Sequence, residues 1–388
     1  MKIVYYEMRK SWLKITTLIV LAALSVFDIL CLSDACRRSN DRIYGEMGES
    51  YYRAYDKFCG EITRDKIDTL KRESDELAAE VSDGVYSTNF DSERYTGYIF
   101  GDFALLNIQI KSEMTYCILY PNTSNKIAAK AYENIDFYEN LNCSFEADKN
   151  KIISKMYSGR SIPEYRTTAW AEAFFKYDFS SLLCVIMLIF GLSSIFSTES
   201  ESGMIRLIVT SGHSGKTVAS KILSSAVYCL FLSIYFTLLD LIFVNIFLGI
   251  DGMNMPIYSA QMFEKAPFGF SFFEAIMLYS ATRFLALFAI SLLILFFSYI
   301  LFNSIASICV SFGFAIILIA LSMLGKNIFN PINMLIPCAY LKDFEVYNIF
   351  GIPVISLFAA VTAIALICAV LIILILIVKR IRGGKVRV

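Results

Sequence analysis

Six long apolar runs separate the polar parts of the chain. They cover residues 15–32, 179–198, 222–250, 284–302, 304–324 and 354–378. A helix crosses the hydrocarbon core of a bilayer, about 30 Å thick, in roughly 20 residues, and each run is close to that length. The uncharged stretch 284–325 is about twice as long, so we expect two spans joined by a tight turn at Asn303. The pattern predicts an all-α polytopic membrane protein with six transmembrane helices.

The segment between the first two runs, residues 34–178, differs in composition from the rest of the chain. It carries 25 acidic and 19 basic residues, which favours a folded domain in water. Apolar residues in 46–82 recur at helical spacing, and 126–141 also favours a helix. Residues 98–120 are rich in aromatic and β-branched side chains, which favour strands. We therefore predict a mixed α/β extracellular domain between spans one and two.

Lysine and arginine are distributed unevenly around the predicted spans. Segments on the side of the N-terminus carry twelve, whereas the two short loops on the opposite side carry four. Because Lys and Arg accumulate in cytoplasmic segments, this bias places both termini in the cytoplasm, including a basic tail at 379–388. The expected location is a bacterial plasma membrane.

Residues 1–14 precede the first span. Their pattern of apolar and basic side chains predicts an amphipathic helix that lies on the inner leaflet. Its apolar side chains would enter the lipid interface, and its basic side chains would contact anionic headgroups. The apolar set is Ile3, Met8, Trp12 and Leu13, and the basic set is Arg9, Lys10 and Lys14.

The composition argues against several classes of function. Thirty-five Lys and Arg balance 35 Asp and Glu, so the chain has no basic excess for binding nucleic acid. His213 is the only histidine, which removes most of the usual zinc and general-base chemistry. The motif GHSGKT at 212–217 is not a phosphate-binding loop, because Thr210 occupies the position of its first glycine. We predict no catalytic, cofactor-binding or metal-binding residue in this chain.

Four of the ten cysteines fall in the predicted extracellular segment, where disulfides persist. They are Cys36, Cys59, Cys117 and Cys143. Two disulfides with three alternative connectivities are one interpretation, and four buried free thiols are the other.

Charged residues inside the predicted spans are costly and face a partner or a cavity. Asp240 lies toward the outer end of span three, and Arg283 borders span four at a similar depth. We predict an ion pair between them, with a contact to substrate as the alternative. Asp28 lies near the outer end of span one, where it is expected to reach the headgroups.

The loop between spans two and three carries an ordered set of residues. Residues 196–221 read FSTESESGMIRLIVTSGHSGKTVASK, with an acidic turn, a glycine, a short apolar stretch, a threonine and two lysines. This order resembles that of the ABC type-2 permease family, as do the amphipathic N-terminus, the six spans and the tight turn at Asn303. The resemblance covers most of the membrane part but not residues 34–178.

The resemblance implies that the chain is not itself catalytic. Two permeases, forming a homodimer here, would pair around a pathway, and two copies of a separate ABC ATPase subunit would bind ATP and Mg. Loop 199–221 would couple them through a short helix from Gly203 to Thr210. Its apolar face would comprise Met204, Ile205, Leu207 and Ile208, with polar contacts from Glu199, Glu201 and Arg206. The alternative is that these residues simply end span two at the interface.

The resemblance implies export but leaves the substrate open among polysaccharides, drugs, lipids, sodium and peptides. The apolar, aromatic spans have no chain of charged residues for ions, which favours an amphipathic or hydrophobic substrate, such as a peptide toxin or bacteriocin. The proline-rich segment 326–353 would form short helices in the outer leaflet and contribute to an outer gate. Two alternatives remain at this point: a mechanotransmitting ABC permease that acts on envelope partners, and a polytopic receptor with a ligand-binding ectodomain. The longest predicted cytoplasmic segment has about 23 residues, so a receptor would need a partner to carry its signal.

Overall fold

The computed structural model describes residues 2–44, 48–82, 90–204, 207 and 214–386. Six helical segments in these residues are long and apolar enough to cross a membrane, which confirms the predicted spans. In chain order, spans one to six are Ile15–Ser39, Ala169–Glu201, Gly215–Leu248, Phe272–Ile300, Ser304–Leu324 and Ser356–Ile381. The chain is therefore a multi-pass membrane protein.

Several helices extend beyond the predicted apolar runs. The helix of span one continues to Tyr44, that of span three begins at Ser214, and that of span six ends at Val386. Span two consists of three helices, Ala169–Lys176, Phe179–Leu192 and Ser197–Glu201. Span four begins at Phe272, after a capping box in which the Ser271 hydroxyl accepts from the Glu274 backbone N–H. Arg283 thus lies inside span four and does not border it.

Span four occupies the centre of the bundle. It packs against spans two, three, five and six, and spans two and four are the most buried of the set. Span five is the least buried. The turn between spans four and five falls at Asn303 as predicted, because its side chain accepts from the N–H groups of Ile305 and Ala306 and caps span five.

The bundle has two distinct ends. Lys379, at the end of span six, lies against Gly215, at the start of span three. We call this end the basic end; it also carries the helix Lys2–Ser11 and residues 202–204, the described start of the loop between spans two and three. The opposite end carries the inter-span domain (residues 48–168), and we call it the domain end.

The inter-span domain is built almost entirely from helices. They are Gly48–Phe58, Arg64–Ser82, Ile99–Phe103, a π-helical segment Ala104–Ile110, Lys111–Asn140 and Ser144–Tyr157. The only described strands in it are Gly60–Glu61 and Glu164–Tyr165, which pair antiparallel. The strands predicted for 98–120 are wrong. Buried Leu106, Ile110, Met114 and Cys117 recur at helical spacing, and this periodicity outweighs the strand-like composition.

Loop 249–271, between spans three and four, holds the inter-span domain on the bundle. The hydroxyls of Tyr116 and Tyr157 donate to the carbonyls of Tyr258 and Lys265, each at 2.8 Å. Arg160 donates to the Pro267 carbonyl at 3.0 Å. These bonds join side chains of the inter-span domain to backbone carbonyls of the loop.

The N-terminal helix, Lys2–Ser11, packs against the basic end of span three. Trp12 is only 5% exposed, and its ring stacks on Tyr228 with centroids 4.7 Å apart. The prediction that Trp12 enters the lipid interface is therefore wrong. Ile3 is exposed, as that prediction requires of it.

The segment between spans five and six forms a 3-10 helix and a hairpin. The 3-10 helix Pro331–Leu335 is buried in the bundle, where the Leu335 carbonyl accepts from Ser181 at 2.8 Å and from Tyr279 at 3.3 Å. The hairpin pairs Val346–Ile349 with Ile352–Ile355. The sequence predicts short helices in the outer leaflet, and a short helix is present. It packs inside the bundle, however, and the sequence does not predict the hairpin.

Candidate functional site

The loop between spans two and three is anchored by a buried ion cluster at the basic end. Glu199 is 4% exposed, and its two carboxylate oxygens lie 2.6 Å from Lys10 Nζ and 2.5 Å from Lys221 Nζ. Lys10 belongs to the N-terminal helix and Lys221 to span three. One carboxylate at the end of span two therefore connects three helices.

Lys221 is fully buried and has further partners. Its ammonium group donates to the Ile195 carbonyl at 3.0 Å and lies 4.3 Å from the centroid of the Phe196 ring. Buried Glu7, on the N-terminal helix, faces the same cluster. Burial raises the pKa of Glu7, and the negative charge of Glu199 adds to this increase. The positive charges of Lys221 and Lys10 oppose it, but the pKa of Glu7 stays above its ordinary value.

Glu199 has a structural role inside the chain. Both its oxygens pair with lysines of the same chain. The residue thus fixes the start of the loop relative to the N-terminal helix and span three. Lys10, expected at the headgroups, is half of this anchor.

Glu201 joins the loop to span five. Its carboxylate accepts from the backbone N–H of Ser304 at 2.7 Å and from the Ser304 hydroxyl at 2.8 Å. A negative charge at a helix N-terminus is stabilised by the helix dipole and by the free N–H groups of the first turn. Glu201 therefore links the start of the loop to the turn between spans four and five.

The described part of the loop presents apolar side chains to the outside. Gly203 ends the helix Ser197–Glu201 with φ of +72°, a left-handed conformation that favours glycine. Beyond it, Met204 is 45% exposed and Leu207 is 71% exposed. The predicted coupling residues Ile205, Arg206, Ile208 and Thr210 lie outside the described residues.

A second polar cluster lies within the spans, toward the domain end. Arg283 Nη1 lies 3.8 Å from Asp240 Oδ2, so the predicted ion pair is present. The Ser180 hydroxyl strengthens it, because it donates to Asp240 at 2.7 Å and accepts from Arg283 at 3.1 Å. Arg283 also contacts Cys184 Sγ at 3.2 Å. Neutral side chains of span two thus stabilise the buried charges of Arg283 and Asp240.

Asp28 belongs to the same cluster and does not reach the headgroups. It is fully buried, and the Tyr177 hydroxyl donates to its Oδ1 at 2.6 Å. Its carboxyl group lies within hydrogen-bonding distance of the Asp240 carboxyl. The expectation of an interfacial Asp28 is wrong, since the face of span one that carries it packs against spans two and three.

All ten cysteines lie among the described residues, and all are free thiols. Cys36 and Cys117 are buried, Cys59 is partly buried and Cys143 is exposed. Burial raises the pKa of the Cys117 thiol to about 12, and the charge of Glu113 adds to this. Of the two interpretations, the structure thus has the free thiols.

Sequence patterns gave only partial signals for these sites. Ser180, Ser181 and Cys184 are small polar residues at helical spacing in span two, which marks one face as facing other polar groups. Tyr177 and Lys10 carried no such signal, because tyrosine and lysine near a span end are also typical interfacial anchors.

No group of three or more His, Cys, Asp or Glu residues that would hold a metal ion occurs in the described part of the chain. What the arrangement offers is an anchored loop with exposed apolar residues at one end and a buried charge cluster near the other. Comparisons of the chain with protein-family models, curated proteins and solved structures found no match.

Proposed function

We propose that the chain is the membrane-spanning permease subunit of an ATP-driven ABC exporter. It pairs with a second, identical permease and with two copies of a separate ATPase subunit, which binds ATP and Mg. Both termini and loop 199–221 face the cytoplasm, and the inter-span domain is extracellular. The cargo is an amphipathic or hydrophobic substrate such as a peptide.

The observation that carries this proposal is the combination of exposure and anchoring in the loop. Met204 and Leu207 present apolar surface at the basic end, while Glu199 and Glu201 next to them are fixed by Lys10, Lys221 and Ser304. A short apolar segment that docks in a groove of a partner transmits rigid-body motion only if its own ends are held.

The anchors give such motion a route into the membrane. A displacement of the loop would act on the N-terminal helix through Lys10, on span three through Lys221 and on span five through Glu201. Span four packs between spans three and five, so it would respond to both. This is how closure of ATPase subunits on ATP would reach the centre of the bundle.

The test compares Leu207→Asp with Phe350→Asp. Phe350 is fully exposed at the tip of the hairpin before span six, far from the loop in the fold, and serves as the matched control. Each tagged variant is purified from its native membrane in mild detergent. Bound subunits are identified by mass spectrometry, and ATP hydrolysis is measured in the eluate.

We expect wild type and Phe350→Asp to retain an ATPase subunit in equal stoichiometry, and Leu207→Asp to lose it while inserting normally. Placing a charged residue in an apolar docking groove costs on the order of 3 kcal/mol of binding free energy. This cost corresponds to a roughly hundredfold loss of affinity. If wild type carries no ATPase subunit, the proposed function is wrong. It is also wrong if Leu207→Asp still binds an ATPase subunit and still stimulates ATP hydrolysis.

A further inference from the structure

Asp28, Asp240 and Arg283 form a buried triad within the spans, in which two acidic groups face a single basic group. Asp28, Asp240 and Arg283 are each no more than 3% exposed. With both carboxyls ionised, the triad would carry one net negative charge in a low-dielectric environment. Such a charge is strongly unfavourable without a further partner.

Each carboxyl has one engaged oxygen and one without a hydrogen-bond partner among the described residues. Asp28 Oδ1 accepts from Tyr177, and Asp240 Oδ2 accepts from Ser180. Asp28 Oδ2 and Asp240 Oδ1 are buried and have no such donor. The two groups nevertheless lie within hydrogen-bonding distance of each other.

We propose that Asp28 and Asp240 bind one proton between them, forming a proton-binding site inside the membrane. The proton on one free oxygen is donated to the other carboxylate, so both orphan oxygens gain a partner. The remaining single negative charge is balanced by Arg283, and the triad becomes neutral. Close carboxyl pairs share a proton for this reason, and their titration belongs to the pair.

A metal ion does not fit the same site. Ca²⁺ and Mg²⁺ need about six oxygen ligands. Beside the two carboxyls, the described residues in direct contact with them offer only the hydroxyls of Ser180 and Tyr177 as side-chain oxygen donors, and the positive charge of Arg283 would repel a cation. A proton requires only two oxygens at hydrogen-bonding distance, and these are present.

The site adjoins a cavity of about 620 Å³ between the outer parts of spans one and two. Tyr177 lines this cavity, and the same hydroxyl donates to Asp28. Tyr177 thus contacts both the triad and the cavity, and its hydroxyl provides a route for proton exchange. The proton that leaves the pair enters the water of the cavity, and the triad then carries one net negative charge.

The titratable groups nearest the triad are thiols and phenols, and further charged groups line the cavity. Cys31 and Cys36 face it from span one, Tyr177 and Cys184 from span two, and Tyr279 with Arg283 from span four. The cavity side adds Asp34, Arg38, Glu172, Lys176 and Asp178. None of the groups in direct hydrogen-bond contact with the two carboxyls supplies a second positive charge.

The test is infrared spectroscopy of the purified full chain in lipid nanodiscs, at the carbonyl stretch of protonated carboxylic acids. Burial also raises the pKa values of Glu7 and Glu113, so the measurements use a Glu7→Gln/Glu113→Gln background. We expect a remaining acid band near neutral pH that shifts in D₂O. It should vanish in Asp28→Asn and in Asp240→Asn.

Asp28→Asn is the variant designed to keep the fold. Its amide oxygen can still accept from Tyr177, and its N–H replaces the shared proton toward Asp240, leaving the triad neutral. Asp240→Asn removes the counterion of Arg283 and is the more disruptive change. Should it fail to fold, Tyr177→Phe provides the second arm, because loss of the donor to Asp28 should shift the acid band and change its rate of deuterium exchange.

An acid band that survives Asp28→Asn unchanged overturns the proposal, as does its absence from the background protein over the whole pH range in which the chain is folded. A band that disappears on adding Na⁺ at constant pH would also overturn it, since it would identify a metal cation as the ligand. These outcomes do not depend on any ATPase.

Discussion

Lys221 Nζ lies 2.5 Å from Glu199 Oε2, and both side chains are buried where span two meets span three. The second oxygen of Glu199 lies 2.6 Å from Lys10, whose side chain is about one third exposed. The two lysines therefore differ in burial while sharing one carboxylate. This difference makes their contributions to stability separable.

Replacing Lys221 by Met should destabilise the bundle by about 3 kcal/mol, because it leaves a buried carboxylate short of its main partner. Lys10→Met should cost less than about 1 kcal/mol, since water partly replaces that contact. Unfolding in a detergent and denaturant series measures both. Equal costs for the two variants would show that the Lys221 contact is not the dominant one.

Trp12→Ala should cost about 3–5 kcal/mol, the usual range for removing a large buried aromatic side chain. The ring stacks on Tyr228 and is covered by the basic end of span three. Tyr6→Ala on the same stretch should be close to neutral, because Tyr6 is exposed. Thermal unfolding of the two variants in nanodiscs decides this, and similar melting temperatures would instead favour an interfacial Trp12.

Glu201→Ala should loosen the first turn of span five, because it removes the acceptor of the Ser304 N–H and of the Ser304 hydroxyl. Glu201→Gln keeps an acceptor for the Ser304 N–H and should recover most of the loss. Hydrogen exchange of the first turn of span five is the measurement. Faster exchange is expected in the Ala variant alone, and equal exchange in all three proteins would contradict the cap.

Glu113→Gln should change how stability depends on pH. Burial raises the pKa of Glu113 from its ordinary 4.5, and hydrogen bonds from Tyr165 at 2.6 Å and Tyr51 at 3.0 Å lower it only in part. An acid whose folded pKa is raised contributes stability below its unfolded pKa and loses it as pH rises through the folded pKa.

Glutamine cannot ionise, so Glu113→Gln should lose less stability than wild type as the pH rises above the ordinary glutamate pKa of 4.5 and through the raised pKa of the folded protein. Melting temperatures across this range provide the comparison. Asp251→Asn is the opposite control, because the pKa of Asp251 is lowered: burial raises it, but Tyr55 and Arg166 outweigh this. Asp251→Asn should therefore be less stable than wild type by a constant margin at neutral pH, and this margin should shrink only as the pH falls below about 3.8. Parallel curves for wild type and Glu113→Gln would contradict the prediction.

The sequence alone determined the number of spans, the turn at Asn303 and the pairing of Asp240 with Arg283. The first two follow from the transfer of apolar side chains to lipid and from the capping preference of asparagine, which are local properties of the chain. The third follows from the cost of a lone charge in a membrane, since two opposite charges at similar depth are expected to meet.

Only the tertiary structure decided the partners of Glu199, the burial of Trp12 and the place of Asp28 beside Asp240. A side chain near the end of a span has the same local sequence whether its helix face meets lipid, water or another helix. Which of these it meets depends on the rotation and packing of helices far apart in the chain. The packing depends on many contacts between distant segments, so no single segment of the sequence determines it.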